Sequence, residues 1–319
     1  MWKTILRRVL IMIPELIILS VLVFILSKQL PGDPFTGSIN PKSSPGQLHH
    51  LMQINGLYDP WYQQYWNWVI HLFHGDLGNS YEYQEPVSAI IASRAINTFW
   101  LSLVTMIMTY VIGIPLGLYA GRHEGKLQDT LVRIYSYVTM SVPFFVVLVL
   151  GCWIFGYDLS WFPTTGSVSP QASGFFGVFI SRVYHMILPA TLGALFATSG
   201  ITQYLRSGVI DARNSNYVKT AQAKGVSMDD IYQHHILRNA LLPIAAFAGY
   251  SITGLLGGSL FTEQIFSYPG MGLLFLNAVN FRDYTVMTAL VLLYGLLSLL
   301  GTLLSDIALS VIDPRIRVE

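Results

Sequence analysis

Apolar residues along this chain gather into six long blocks separated by polar segments, at about 9–29, 98–120, 133–157, 184–205, 241–262 and 285–309. Each block is long enough for a helix to cross a hydrocarbon core of roughly 30 Å. A helix satisfies its own backbone donors and acceptors, which an isolated segment in lipid must do. The pattern predicts an all-α membrane protein of six transmembrane helices. The fourth block is the poorest, because "ATSGITQYL" is polar and His185 stands at its start. The first follows Lys3, Arg7 and Arg8 and outruns the apolar stretch of a signal peptide, roughly 7–15 residues. "LPGDPF" follows it in place of a small-residue cleavage site, so we read it as an uncleaved span.

Basic residues set the expected orientation. With the first segment inside, the inner segments hold 13 Lys and Arg against 5 on the outer side, which places both termini in the cytosol. The chain then divides into a first span (1–30), an external segment (31–97), a core of spans two to six (98–309) and a cytosolic tail (310–319). Within the external segment, "DPWYQQYWNWVIHLFHG" reads as a helix with Asp59 as N-cap, Pro60 at its first position and Gly75 as its stop. Trp61, Tyr65, Trp68 and Leu72 form one apolar stripe on it, which suits either a helix lying on the outer leaflet or a packed external cap. His71 and His74 have helical ligand spacing, but no third ligand is evident nearby. Spans two and five carry small residues every fourth position: Gly113, Gly117 and Gly121, then Ala245, Gly249, Thr253 and Gly257. Such stripes allow close helix packing within the chain or against a partner, or line a pathway. Pro14, Pro115, Pro143 and Pro189 are placed to kink spans.

Composition agrees: 53% of residues are hydrophobic and 11% charged, where a soluble domain carries about 25% charged. A formal net charge of +1 gives no basic field for nucleic acid. One cysteine, Cys152, allows neither an intrachain disulfide nor a thiolate metal site. "GRHEGKLQ" at Gly121 lacks the glycine spacing and the Ser/Thr of a phosphate loop, and no HExxH, GxSxG or triad pattern emerges. Glu15 and Asp306, the acidic residues within spans, lie near inner helix ends, where solvation explains them without a proton relay. The sequence shows a pathway and no engine.

One polar stretch interrupts the apolar second half, "SNYVKTAQAKGVSMDDIYQHHILRNALLPI", Ser215 to Ile244. Asn214, Ser215 or Asn216 caps a helix starting near Tyr217, and Gly225 suits the left-handed position that ends it. Ser227 and Asp230 have capping-box spacing for a second helix, with Asp229 and Asp230 at its positive end. The outcome is a helix–turn–helix on the cytosolic face, over 214–240, joined to spans four and five.

This stretch resembles the Glu-Ala-Ala loop of bacterial ABC importer permeases, in the form found in the peptide and nickel importer group. "RRVLIMIPELIILSVLVFILSKQLPGDPF", "GLYDPWYQQYWNW", "GDLGNSY", "HMILPA", "EQIFSYPGMGLLFLNAVNFRDY" and "IDPRIR" extend the likeness nearly end to end. It is nearest the B-type permeases of oligopeptide and dipeptide importers. The resemblance implies a type I importer core: a second related permease, two cytosolic ATPases holding ATP and Mg, and an external peptide-binding lipoprotein. It implies no cofactor, metal or catalytic residue on this chain. The helix after the glycine, Ser227 to Leu237, would enter a groove on an ATPase. Ser227, Met228, Asp229, Asp230, Ile231, Tyr232, His234 and His235 would form this coupling element, with Gly225 as the turn and Ala221 and Ala223 packing beneath. The eponymous Glu-Ala-Ala reads Lys219-Thr220-Ala221 here, a basic start usual within the peptide group. An oligopeptide cargo is the first expectation, with dipeptide or nickel as alternatives. An ion-coupled secondary transporter would show charged mid-span residues and an inverted repeat, and neither is seen. A non-transporting membrane scaffold fits the proline- and glycine-bearing spans poorly.

Overall fold

The computed structural model describes residues 2–29, 53 and 58–312. The "LPGDPF" exit, the start of the external segment and "DPRIR" lie outside them. The described chain is helical: α1 (Trp2–Gln29), α2 (Trp61–Phe73), α3 (Val87–Arg122), α4 (Leu127–Ser141), α5 (Phe144–Gly151), α6 (Gly174–Arg213) and α7 (Asn216–Ala223) come first. Then α8 runs through Met228–Asp230, a π-helical stretch Ile231–Ile236, and Leu237–Ala240. It is followed by α9 (Leu242–Ala246), α10 (Ala248–Gly254), α11 (Leu260–Ile265), α12 (Met271–Asn280) and α13 (Tyr284–Ile312).

Among the described residues, four helices (α1, α3, α6, α13) are long and apolar enough to cross a membrane. The expected third span is α4 followed by α5 and the π-helical stretch Cys152–Asp158 that continues it, with a bend of 97° between Leu127–Ser141 and Phe144–Asp158. Pro143 causes the break, since it supplies no N–H and pushes the residue before it out of the helical region; Val142 is extended, with φ −91° and ψ 129°. The weakly apolar fourth block becomes a 40-residue helix that passes straight through Pro189. The expected fifth span is not continuous: α9 and α10 are short, and the chain leaves the helix by Leu255. Gly254, Gly257 and Gly258 lower helix propensity there, and Gly258 takes φ +73°.

The first small-residue stripe serves packing within the chain. α3 and α6 run parallel, and a Cβ on Gly113, Gly117 or Gly121 would lie 3.1 Å from Ile201, 2.8 Å from Leu205 or 2.7 Å from Val209. Four-residue steps on one helix thus meet four-residue steps on the other. In the second stripe Gly249 does the same, closing α10 onto Ser305 and Gly301 of α13. Asp306 is paired with Arg8 at 2.9 Å, tying α13 to α1.

The helix expected after Pro60 forms, but Asp59 does not cap it: Pro60 holds the N-cap position, and the Asp59 carbonyl accepts from Gln64. No residue of α2 is buried, although Tyr65 and Trp68 pack on Phe24 of α1 with ring centroids 5.4 and 5.9 Å apart. His71 is 3.0 Å from Asp76, whose carboxyl that hydrogen bond holds below the usual carboxylate range. Further along, Ser80 donates to Asp283 at 2.5 Å, joining this segment to the start of α13.

Candidate functional site

Two features of the core carry candidate function: the polar helix pair α7–α8 and a groove beside α3. The turn between α7 and α8 is a Schellman motif. Val226 N–H donates to Ala221 O at 3.2 Å and Gly225 N–H to Gln222 O at 2.9 Å, with Gly225 at φ +78°. The next helix is capped as its spacing predicts. Ser227 Oγ accepts from Asp230 N–H at 3.2 Å, and the Ser227 hydroxyl donates to the Asp230 carboxylate at 2.7 Å. Ser215 occupies the N-cap of α7, yet its hydroxyl donates back to Ala212 O, leaving that helix without a side-chain cap.

The proposed coupling residues divide by face. Ile231, Tyr232 and Ala221 are buried, clustered with Leu205, Val209, Val218 and Ile236. Met228, Asp229, Asp230, His234 and His235 are exposed. Ala223, expected to pack beneath, is exposed as well: it lies two residues beyond Ala221 on a helix, which turns it off the buried face. The π-helical stretch over Ile231–Ile236 was not anticipated. The extra residue in its turn shifts the helical register while Ile231, Tyr232 and Ile236 all stay buried.

Sequence reasoning also missed the neighbour of this helix. Arg122, the last residue of α3, is 2.6 Å from Asp229, and its guanidinium lies 5.1 Å from the centre of the Tyr232 ring. Beside it, Arg213 bonds Glu124 at 2.6 Å. Asp129 of α4 is fully buried and accepts from Arg206 of α6 at 2.5 and 2.9 Å and from Gly125 N–H at 3.0 Å. The C-terminal ends of α3 and α6 and the start of α4 are thereby pinned together, and α3 reaches α8.

The groove lies between α3, α6 and the interrupted fifth segment. Two adjoining cavities, of about 470 and 300 Å³, share Met106, Tyr110 and Ser251. Hydroxyl groups line its polar side: Ser102, Thr105, Thr109, Tyr110, Ser251, Ser259 and Thr262, with no carboxylate, lysine, arginine or histidine among the lining residues. In sequence, Ser102, Thr105 and Thr109 are three and four residues apart, one face of a helix, a signal that was available.

Past Ser259 and Thr262 in this region the chain folds back through α11 and α12. Glu263 is fully buried there and accepts from Thr98 Oγ1 at 2.9 Å and Leu273 N–H at 2.9 Å. Burial pushes its carboxyl above the ordinary glutamate value, opposed by these hydrogen bonds. A Cβ on Gly270 would run into that carboxylate, so the turn needs its glycine.

Comparison with known proteins places these features in a family. The model of the binding-protein-dependent transport system inner membrane component matches residues 113–318, and that of its N-terminal region matches 1–104. The oligopeptide transport system permease protein AppB of Bacillus subtilis is 36% identical, with 98% of each chain covered. The glutathione transport system permease protein GsiC of Salmonella typhimurium is also 36% identical, over the full length of both. Among solved structures, an inward-facing form of the MetNI methionine ABC transporter matches with a TM-score of 0.50 and 16% identity, over 71% of this chain and 97% of that one. That likeness bears on fold alone. By the family models and full-length relatives together, the chain belongs to the binding-protein-dependent transport system inner membrane components.

Proposed function

We propose that the chain is the membrane-spanning permease subunit of an ATP-driven ABC importer that takes up peptides delivered by an external binding protein. It works beside a second permease, and two ATPases dock on its cytosolic face and hold the ATP and Mg. The observation that carries this reading is α8: one face is buried against α6 and α7, and the other is polar and exposed at the inner ends of α3 and α6. A rigid element so anchored passes a push from below into the long helices, which favours one arrangement of the pathway over another. Six crossings, with the third bent and the fifth interrupted, and both termini in the cytosol, accord with the charge distribution. Oligopeptide and glutathione permeases are equally similar relatives, and glutathione is itself a short peptide.

The test is purification of a tagged copy from native membranes in mild detergent, with mass spectrometry of what accompanies it. A second permease and two ATPases with phosphate loops are the expected companions. A stable, solitary chain would overturn the reading.

A further inference from the structure

We infer that the groove beside α3 is this chain's wall of the peptide conduit, and that it receives the peptide main chain through neutral hydroxyl acceptors without regard to peptide charge. The inference rests on the importer reading above and adds to it where, and by what chemistry, the cargo is met.

Four of the hydroxyls, those of Thr105, Thr109, Tyr110 and Ser251, are arranged to accept. Thr105 donates to Leu101 O at 2.8 Å and Thr109 to Thr105 O at 2.7 Å, both along their own helix. Ser251 donates to Phe247 O at 3.2 Å and lies 3.0 Å from Tyr110 OH, which therefore donates to it. Each of these protons is committed inside the protein. The oxygen lone pairs are what remain for a visitor, and they suit a donor such as a backbone amide N–H.

The wall has no fixed charge. A carboxylate or cation here would bind peptides of opposite sign and hold them; neutral acceptors give weak contacts that a moving chain exchanges for similar ones. Side chains meet a mostly apolar surface, supplied by residues such as Met106, Pro189 and Ile201. The second observation is the interruption of the fifth segment. Irregular backbone at membrane depth is tolerated where it is buried in protein or lines a cavity. Here Gly254 and Leu255, where the helix ends, line the larger cavity.

The test uses the assembled importer, first shown to contain its ATPases and to import peptide; failure at that stage would strike the importer reading instead. Cys152 is replaced (Cys152→Ala), and single cysteines are placed at Thr105→Cys on α3 and Ser251→Cys on α10. Ile107→Cys, on the opposite face of α3, serves as control. Each is treated with an anionic probe, sulfonatoethyl methanethiosulfonate, and a cationic one, trimethylammonioethyl methanethiosulfonate. Both groove positions should react, at a rate ratio within about threefold of a free small thiol. Peptide and ATP should slow both groove positions and leave the control unchanged. A ratio displaced by about tenfold or more would show a charged conduit and overturn the charge-indifference. Unreactive groove cysteines in an importer that still transports would show that the peptide passes elsewhere.

Discussion

Arg122 closes α3 onto α8: its guanidinium bonds Asp229 at 2.6 Å and lies 5.1 Å from the centre of the Tyr232 ring. Asp229 lies in the first turn of α8 and Tyr232 is buried three residues on, so a single side chain holds both the start and the root of that helix. The connection is to α3, the helix that carries the groove hydroxyls, rather than to the segments adjacent in sequence.

Arg122→Gln should therefore leave folding nearly intact. Both partners are partly exposed, and such a pair contributes about 0.5 kcal/mol. ATP hydrolysis in the assembled importer should persist while peptide uptake per ATP falls several-fold. The charge exchange Arg122→Asp with Asp229→Arg should restore part of the ratio. Unchanged uptake per ATP in Arg122→Gln would remove α3 from the coupling route.

The turn gives a prediction about backbone alone. Gly225 has φ +78° and nothing within 4 Å of where a Cβ would stand, so substitution there is costly for conformation and not for space. Gly225→Ala should cost about 1 kcal/mol and Gly225→Val more, whereas Gly225→Asn should be tolerated because asparagine enters the left-handed region readily. Trypsin cleavage at Lys224 follows the order: fastest in the valine variant, slowest in wild type. Equal cleavage of Asn and Val variants would contradict a conformational cause.

How far the sequence speaks can be judged at these same residues. Gly225 and the Ser227–Asp230 cap were legible because both are local: each rests on a spacing of a few residues and a known backbone requirement. Arg122 was not, since its partner lies 107 positions away and no pattern in a single sequence pairs them. The apolar blocks gave the long helices well. They could not tell an intact fifth span from α9 and α10, because hydrophobicity measures the medium and glycine placement decides continuity. The stripe of Gly113, Gly117 and Gly121 announced a close contact without naming the helix that fills it.

That contact is testable by size. At Gly121 a Cβ would meet Val209 at 2.7 Å and Arg206 O at 3.1 Å, and a backbone carbonyl in mid-helix has little room to yield. Gly121→Ala should cost about 2 kcal/mol through overpacking. Gly200→Ala is the control, with nothing within 4 Å, and should be neutral or slightly stabilising. Thermal aggregation of the detergent-solubilised variants would rank them; a stable Gly121→Ala would mean that α3 and α6 separate easily.

Glu263 predicts a pH dependence. Burial raises its carboxyl above the ordinary 4.5, so the folded chain holds that proton more tightly than the unfolded chain does. Its favourable contribution is complete below the unfolded value and is lost as pH rises through the folded one. Glu263→Gln should flatten this slope. It should also impose a constant loss of about 2 kcal/mol, because an amide NH₂ would face a donor at Leu273 N–H or Thr98. Thermal midpoints measured between mildly acidic and neutral pH would test both. A Gln variant with the wild-type slope would assign the dependence to other groups.

Asp129 and Arg206 offer the contrasting case of a charge pair that is shielded. The aspartate is fully buried, the arginine side chain is 15% exposed, and two hydrogen bonds join them. Asp129→Asn removes the counter-charge from Arg206 and leaves a cation in a confined place, so a loss of about 3 kcal/mol is expected. Arg206→Lys keeps the charge but forfeits the two-pronged fit, and should cost about 1 kcal/mol. Salt separates this pair from its neighbour: Arg213 and Glu124 are about one-third exposed, so screening should erase their contribution while sparing Asp129–Arg206. Thermal midpoints of wild type and Asp129→Asn in low and high salt would show it. A difference that vanished in high salt would mean that water reaches this junction, and that α4 and α6 are held together more loosely than their geometry indicates.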